Sequence, residues 1–345
     1  MSEVNDEIIE KSPDQPRKRG PGRPPKKDKK KRIERLGIVE APSNAVRNSG
    51  DKLNAMELVY ENPQMFKKIF ALFKVYAVEL IHVCFDKDRL SMYAVDHTNH
   101  VTINVEILGS MMNRYFIEEP INIDLDTNQF YRIFQVIGKD FTRILFMTNR
   151  ANIRVTLWMI FLDEQNNKST YQIQLNDVKE GKITLEQTKE LFAAAQKYPV
   201  SFELDHKFLK NKIAEMSNLS KKFVIQQDMT NKNSNMCFVA TTDDSKIKNT
   251  SPIKNPGKSN LVNNYNGQLF TAPVFVNHIR PFVSASLGDN IKIMVDDKKD
   301  IVFKVDLDPD DIKTGISKGK VSNSEKGYIM IASKLASSNE HPNSS

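Results

Sequence analysis

The sequence predicts an α+β protein of two similar halves, each combining two helices with antiparallel sheets. Three observations predict it. Apolar residues recur at i, i+3, i+4, i+7 or close variants of that spacing, the mark of one helical face. The four sets are Phe66, Ile69, Phe70, Phe73, then Phe130, Ile133, Phe134, Ile137, then Leu209, Ile213, Met216, then Phe275, Ile279, Phe282, Val283. Each set is followed by apolar runs split by short polar turns, which read as hairpins. The offset from first to second set resembles that from third to fourth, so the chain is read as a repeat.

The chain has 345 residues, room for two domains of ordinary size, and 39% apolar residues, enough for real cores. Its net charge of +7 is concentrated at one end. Residues 11–35 hold twelve Lys/Arg against three Asp/Glu, while residues 1–10 hold four acids, so the remaining chain is only about +2. Residues 1–54 read as a disordered basic tail and linker, with too few apolar residues to offset ordering entropy. Gly22-Arg23-Pro24 with Arg19, Lys26 and Lys27 around it resembles an AT-hook, whose extended arginine enters a narrow minor groove. Pro21 stands where the usual hook has arginine, which weakens sequence-selective reading. The plainer readings are a solvated basic arm or a nuclear import signal.

The first half covers residues 55–177. A strand at 56–61 leads to the helix 63–74, whose Lys67, Lys68 and Lys74 lie off the apolar face. Strands 78–85 and 90–95 form a hairpin around Asp86-Lys87-Asp88-Arg89. The turn Asp96-His97-Thr98-Asn99-His100 precedes a strand at 101–107. The second helix carries Arg132 and Lys139, and strands follow at 141–147 and 153–161. Strict alternation in Thr170-Tyr171-Gln172-Ile173-Gln174-Leu175 marks the closing strand. Residues 178–198 connect the halves, with a helix at 184–196 that has Glu186 early and Lys197 late, as the helix dipole favours.

The second half covers 199–336, and residues 337–345 read as a disordered tail. Lys207, Lys210 and Lys212 sit on the third helix and Arg280 on the fourth, where Pro281 should kink or shorten the helix. Strands are expected at 223–227, 236–241, 291–295 and 301–307. The polar stretch 243–268 reads as a loop or a degraded strand pair, with turn clusters at 249–252 and 255–257 and a candidate edge strand at 245–250, and 315–324 reads as another loop.

Chemistry of the catalytic kind finds little support. There is no phosphate-binding glycine loop, no Cys/His metal spacing and no nucleophile arrangement. His97 and His100 around Asp96 are read as a hydrogen-bonded turn. Cys84 and Cys237 fall in strands and read as free thiols in a reducing intracellular compartment. No apolar run reaches about 18 residues, so no membrane partner is expected.

With these elements in order, the chain resembles a PCNA-type sliding clamp, the proliferating cell nuclear antigen family. The resemblance spans about residues 55–336. It rests on Phe66-Lys67-Lys68-Ile69-Phe70, on the turn from Ala94-Val95-Asp96 to His100-Val101, and on Tyr328-Ile329-Met330-Ile331-Ala332-Ser333-Lys334-Leu335, where Ser333 replaces the family's proline. Together with the basic tail it is similar to the clamp-like proteins of large nucleocytoplasmic DNA viruses. The resemblance implies a non-enzymatic homotrimeric ring that needs no cofactor or metal. Its helices line a channel whose Lys67, Lys68, Lys74, Arg132, Lys207, Lys210, Lys212 and Arg280 meet double-stranded DNA. It further implies docking of DNA polymerase and other clients by a Gln-x-x-aliphatic-x-x-aromatic-aromatic peptide. The pocket it implies comprises Val95, Ile103, Ile183, Ile301, Met330 and Ala332. A clamp loader is a further partner that it leaves open, as it does the place of work, host nucleus or cytoplasmic viral factory. The alternative is a clamp-fold viral late transcription factor that does not encircle DNA, and a nuclease or other DNA enzyme, for which the sequence offers no carboxylate cluster, is the third class.

Overall fold

The computed structural model describes residues 54–152, 155–175, 184–228, 237–242, 248–252, 269–296, 300–307 and 327–334. The expected tails, the loop 315–324 and most of 243–268 lie outside them. In chain order the elements are β1 (Asn54–Glu61), α1 (Pro63–Val75), β2 (Leu80–Phe85), β3 (Arg89–Val95), β4 (Val101–Leu108), β5 (Arg114–Ile117), β6 (Ile121–Asp126), α2 (Thr127–Val136), β7 (Phe141–Asn149), β8 (Thr156–Asp163) and β9 (Lys168–Gln174). Helix α3 (Leu185–Ala195) then connects to β10 (Val200–Asp205), α4 (His206–Ser217), β11 (Lys222–Asp228), β12 (Cys237–Thr241), β13 (Lys248–Pro252), β14 (Leu269–Phe275), α5 (Val276–Ser284), β15 (Asn290–Val295), β16 (Asp300–Asp306) and β17 (Tyr328–Lys334).

The strands form three antiparallel sheets, ordered β5-β1-β7-β8-β9, β10-β15-β16-β17-β4-β3-β2-β6 and β13-β12-β11-β14. These orders expose the repeat. The run β1-β7-β8-β9 of the first half matches β10-β15-β16-β17 of the second, and β6-β2-β3-β4 matches β14-β11-β12-β13. The halves join where β4 pairs with β17, from Tyr328 opposite Glu106 to Ser333 opposite Val101. The counterparts of those two strands, β13 and β9, are both sheet edges.

The apolar faces expected of the helices are the ones buried. Phe66, Phe70, Phe130 and Phe134 are at most 1% exposed and stack in a chain, Phe70 lying 5.2 Å from Phe130 and 5.1 Å from Phe134 between ring centroids. Each such pair adds roughly 0.5–1.5 kcal/mol beyond its buried area. Asp126 caps α2 by accepting from Gln129 N at 2.7 Å, and Asp205 caps α4 by accepting from Phe208 N at 2.8 Å. Both caps satisfy amides that the first helical turn leaves free.

The seam between the halves is specific. Gly327 enters β17 where a Cβ would lie 2.6 Å from the Glu106 carbonyl oxygen, so no other residue fits. Tyr76 OH donates to the His278 carbonyl at 2.7 Å, and the His100 and His278 rings stack at 5.6 Å. Ser333, standing where the family's proline is expected, places its hydroxyl 2.9 Å from His278 Nδ1.

Two expectations need correction, and a third is met. Residues 249–252 are not a turn cluster but most of β13, paired from Lys248 opposite Thr241 to Pro252 opposite Cys237. Pairing with β12 supplies the backbone hydrogen bonds, and Pro252 is tolerated at the end of an edge strand. Phe275 precedes α5 rather than lying on it. Pro281 does sit inside α5, whose nine residues make it the shortest of the five described helices.

Candidate nucleic-acid and client interfaces

The basic residues singled out in the sequence do not all lie together. Lys68, Lys207 and Lys210 line one cleft of about 520 Å³, between the starts of α1 and α4 and the turn Ser286-Leu287-Gly288-Asp289. Lys68 Nζ donates to the Ser286 carbonyl at 2.9 Å, tying the first half to the second. Asp289 is the acid on that cleft. Lys74 Nζ reaches Asn128 Oδ1 on α2 at 2.6 Å. Arg132 follows Asn128 by four residues on the same helical face and is exposed. Arg280 is exposed on α5, and Lys67 is half-buried on α1. Lys212 stands apart, because its Nζ pairs with Glu215 at 2.7 Å within α4. Arg19, Arg23, Lys26 and Lys27 lie outside the described residues.

The expected client pocket divides across a sheet. In an antiparallel pair, directly opposed residues share a face. Met330 opposes Asn104 and Lys304, and Ala332 opposes Thr102 and Val302. Ile103 opposes Ile331, and Ile301 opposes Ser333, so both belong to the other face, where they are fully buried. The alternation of strand side chains therefore removes Ile103 and Ile301 from the pocket. Val95 opposes Thr102 and stays on the Met330 face, half-buried. Ile183 lies outside the described residues.

The pocket face is also covered. Phe192, Ala195 and Tyr198, from α3 and the turn after it, are buried against Met294, Val302, Met330 and Ala332. A helical connector with an apolar stripe lies down on the strands instead of arching over them. That contact was missed in the sequence, although Phe192, Ala195 and Tyr198 at intervals of three carried the signal. Beside the helix runs a groove of about 780 Å³, whose walls include Asp88, Arg89, Glu106, Lys189, Lys304 and Tyr328. Arg89 binds Asp88 at 2.9 Å and the buried Glu106 at 3.3 Å. Burial, with Glu106 close by, pushes the Tyr328 hydroxyl well above the usual phenol range.

The Asp96 turn is structural. Its carboxylate accepts from the amides of His100 at 2.7 Å, Val101 at 2.8 Å and Thr98 at 3.2 Å, and from the Thr98 hydroxyl. Burial alone would raise its pKa, but these bonds outweigh it and hold the carboxyl below the usual range. Among the described residues, no cluster of three His, Cys, Asp or Glu side chains could hold a metal, and no helix is long and apolar enough to cross a membrane. Neither Cys84 nor Cys237 is in a disulfide.

The chain is similar to an uncharacterized protein of African swine fever virus (isolate Tick/Malawi/Lil 20-1/1983), with 26% identity over 294 residues, 84% of this chain and 94% of that one. It is similar to a DNA polymerase sliding clamp of Methanobrevibacter smithii, with 21% identity over 151 residues, 44% of this chain and 56% of that one. Among solved structures, PCNA from Thermococcus kodakaraensis superposes with a TM-score of 0.61 at 13% identity, over 81% of this chain and all of that one. No family model matches the chain. The chain has the α+β fold of PCNA-type sliding clamps, a non-enzymatic family, and is distantly related to a viral protein and an archaeal clamp.

Proposed function

We propose that this protein is a DNA polymerase processivity factor, a homotrimeric ring that encircles duplex DNA and tethers replication proteins. Clamp domains 55–177 and 199–336, joined by the connector 178–198, would alternate around the ring. The observation that carries the reading is the β4–β17 junction. Its counterparts β9 and β13 are free edges among the described residues, so pairing them between chains would repeat the internal junction. A head-to-tail contact of that kind forms a closed ring when its rotation closes. It also covers two edges that would otherwise invite aggregation.

The helices would then face the channel, with Lys67, Lys68, Lys74, Arg132, Lys207, Lys210 and Arg280 meeting phosphates. Such contacts bind without choosing sequence. The tail arginines and lysines would add positive charge for DNA. Clients would dock on the Met330–Ala332 face. The test is native mass at micromolar concentration. The expected particle is a trimer of the 39.5 kDa chain. A monomer or dimer throughout the concentration range overturns the ring.

A further inference from the structure

Helix α3 sits on the body through one buried face. Thr188, Phe192 and Ala195 are its buried residues, and Phe192, Ala195 and the following Tyr198 pack on Met294, Val302, Met330 and Ala332, with Leu191 partly buried beside them. Glu186, Gln187, Lys189, Glu190, Ala193, Ala194, Gln196 and Lys197 lie outside that contact. The helix meets its own polar needs. Thr184 Oγ1 accepts from Gln187 N at 3.2 Å while Gln187 Oε1 accepts from Thr184 N at 2.9 Å, a closed capping box. At the other end Lys197 N donates to Ala194 O at 3.0 Å and Tyr198 N to Ala195 O at 3.2 Å. Two tethers reach the body, one between the Tyr93 hydroxyl and the Leu185 backbone, the other between the Tyr198 hydroxyl and the Asp300 backbone. The strands beneath are different, since β16 and β17 pair residue for residue from Asp300 to Asp306.

Lifting α3 thus exposes one buried face, breaks these tethers and leaves the β16–β17 pairing in place. Local opening of this kind draws on the least stable parts of a fold. We infer that α3 is a built-in competitor for the client site proposed on the Met294–Val302–Met330–Ala332 face, and that a client displaces it with a short amphipathic helix of its own. The seated segment defines the partner's chemistry, an aromatic, a small residue and a second aromatic at intervals of three. The charged residues beside it that stay with the body, Arg89 and Lys304 against Asp88 and Glu106, would hold the polar flank of such a helix. This deepens the client-docking part of the proposed function and rests on it, but it does not need the ring to close.

A partner that binds only the open state has its affinity reduced by the fraction of open molecules. Loosening α3 should therefore raise affinity for an outside helix. The probe is a fluorescent synthetic peptide of this chain's own residues 184–198, added to the full-length protein. Phe192→Ala should bind it at least about tenfold more tightly than wild type, because the truncated contact shifts α3 toward release. Adding Met330→Asp should abolish the gain, since a carboxylate is costly on an apolar face. Equal affinity for wild type and Phe192→Ala overturns the inference, as does a gain that survives Met330→Asp. Hydrogen exchange guards the variant. Protection of β16 and β17 should persist in Phe192→Ala, and its loss would make α3 part of the core rather than a competitor. Native mass separates the two claims. Trimers that show no gain sink the inference alone, and the absence of trimers in wild type sinks the ring whatever the peptide does.

Discussion

Replacing Lys68, Lys207 and Lys210 with Ala removes the three ammonium groups that share the cleft between α1 and α4. If each meets one phosphate, the slope of log affinity against log salt should flatten by about 2.7, since each contact contributes roughly 0.9 on duplex DNA. Over a fourfold change in salt, that difference in slope amounts to about fortyfold in relative affinity. The fold should tolerate the change. The one described bond lost is from Lys68 Nζ to the Ser286 carbonyl, at an exposed position, and such a bond contributes about 1 kcal/mol or less. The assay is fluorescence anisotropy with a short blunt duplex, titrated at several salt concentrations, with thermal unfolding run in parallel. A variant with unchanged stability and a salt slope parallel to wild type would refute the assignment of this cleft to DNA.

Deleting residues 1–35 should flatten the same slope independently, because the deleted stretch carries most of the net charge; an unchanged slope would remove the tail from DNA binding. Asp96→Asn should destabilise the protein by roughly 2 kcal/mol at neutral pH, through loss of charge-assisted bonds to the turn amides. The folded-state pKa of Asp96 is depressed, so its stabilisation is full above the unfolded value near 4 and fades as pH falls through the folded value. The gap in melting temperature between wild type and Asp96→Asn should therefore narrow in acid, and a gap that stays constant as acid is added contradicts this account of the turn.

The sequence was most legible where one physical rule acted alone. Phe66, Ile69, Phe70 and Phe73 announced α1 because helical spacing and burial coincide there. Asp96 declared its turn because a short carboxylate before Thr98 and His100 reaches local amides most readily. Strand faces were harder. Ile103 and Ile301 are as apolar as Met330, and only the register places them on opposite sides of the sheet. Strand β13 was only half legible, as one of two readings of 243–268, because Asn249, Thr250, Ser251 and Pro252 favour turns locally while pairing with β12 decides otherwise. The connector helix was visible from Thr184 and Glu186, but not its seat, because Met294, Val302, Met330 and Ala332 lie far along the chain from Phe192. The basic helices were legible one by one. That Lys68 shares a cleft with Lys207 and Lys210 depends on the packing of the two halves.

The central claim is topological linkage to DNA, and retention on circular against linear DNA tests it most directly. Protein assembled on a closed circle and on the same molecule after a single cut is washed at a salt concentration that suppresses open binding. The account predicts long retention on the circle and rapid loss from the cut molecule, where the ring slides off an end. Equal rates of loss from both would contradict encirclement and leave a clamp-fold protein that binds DNA from one side.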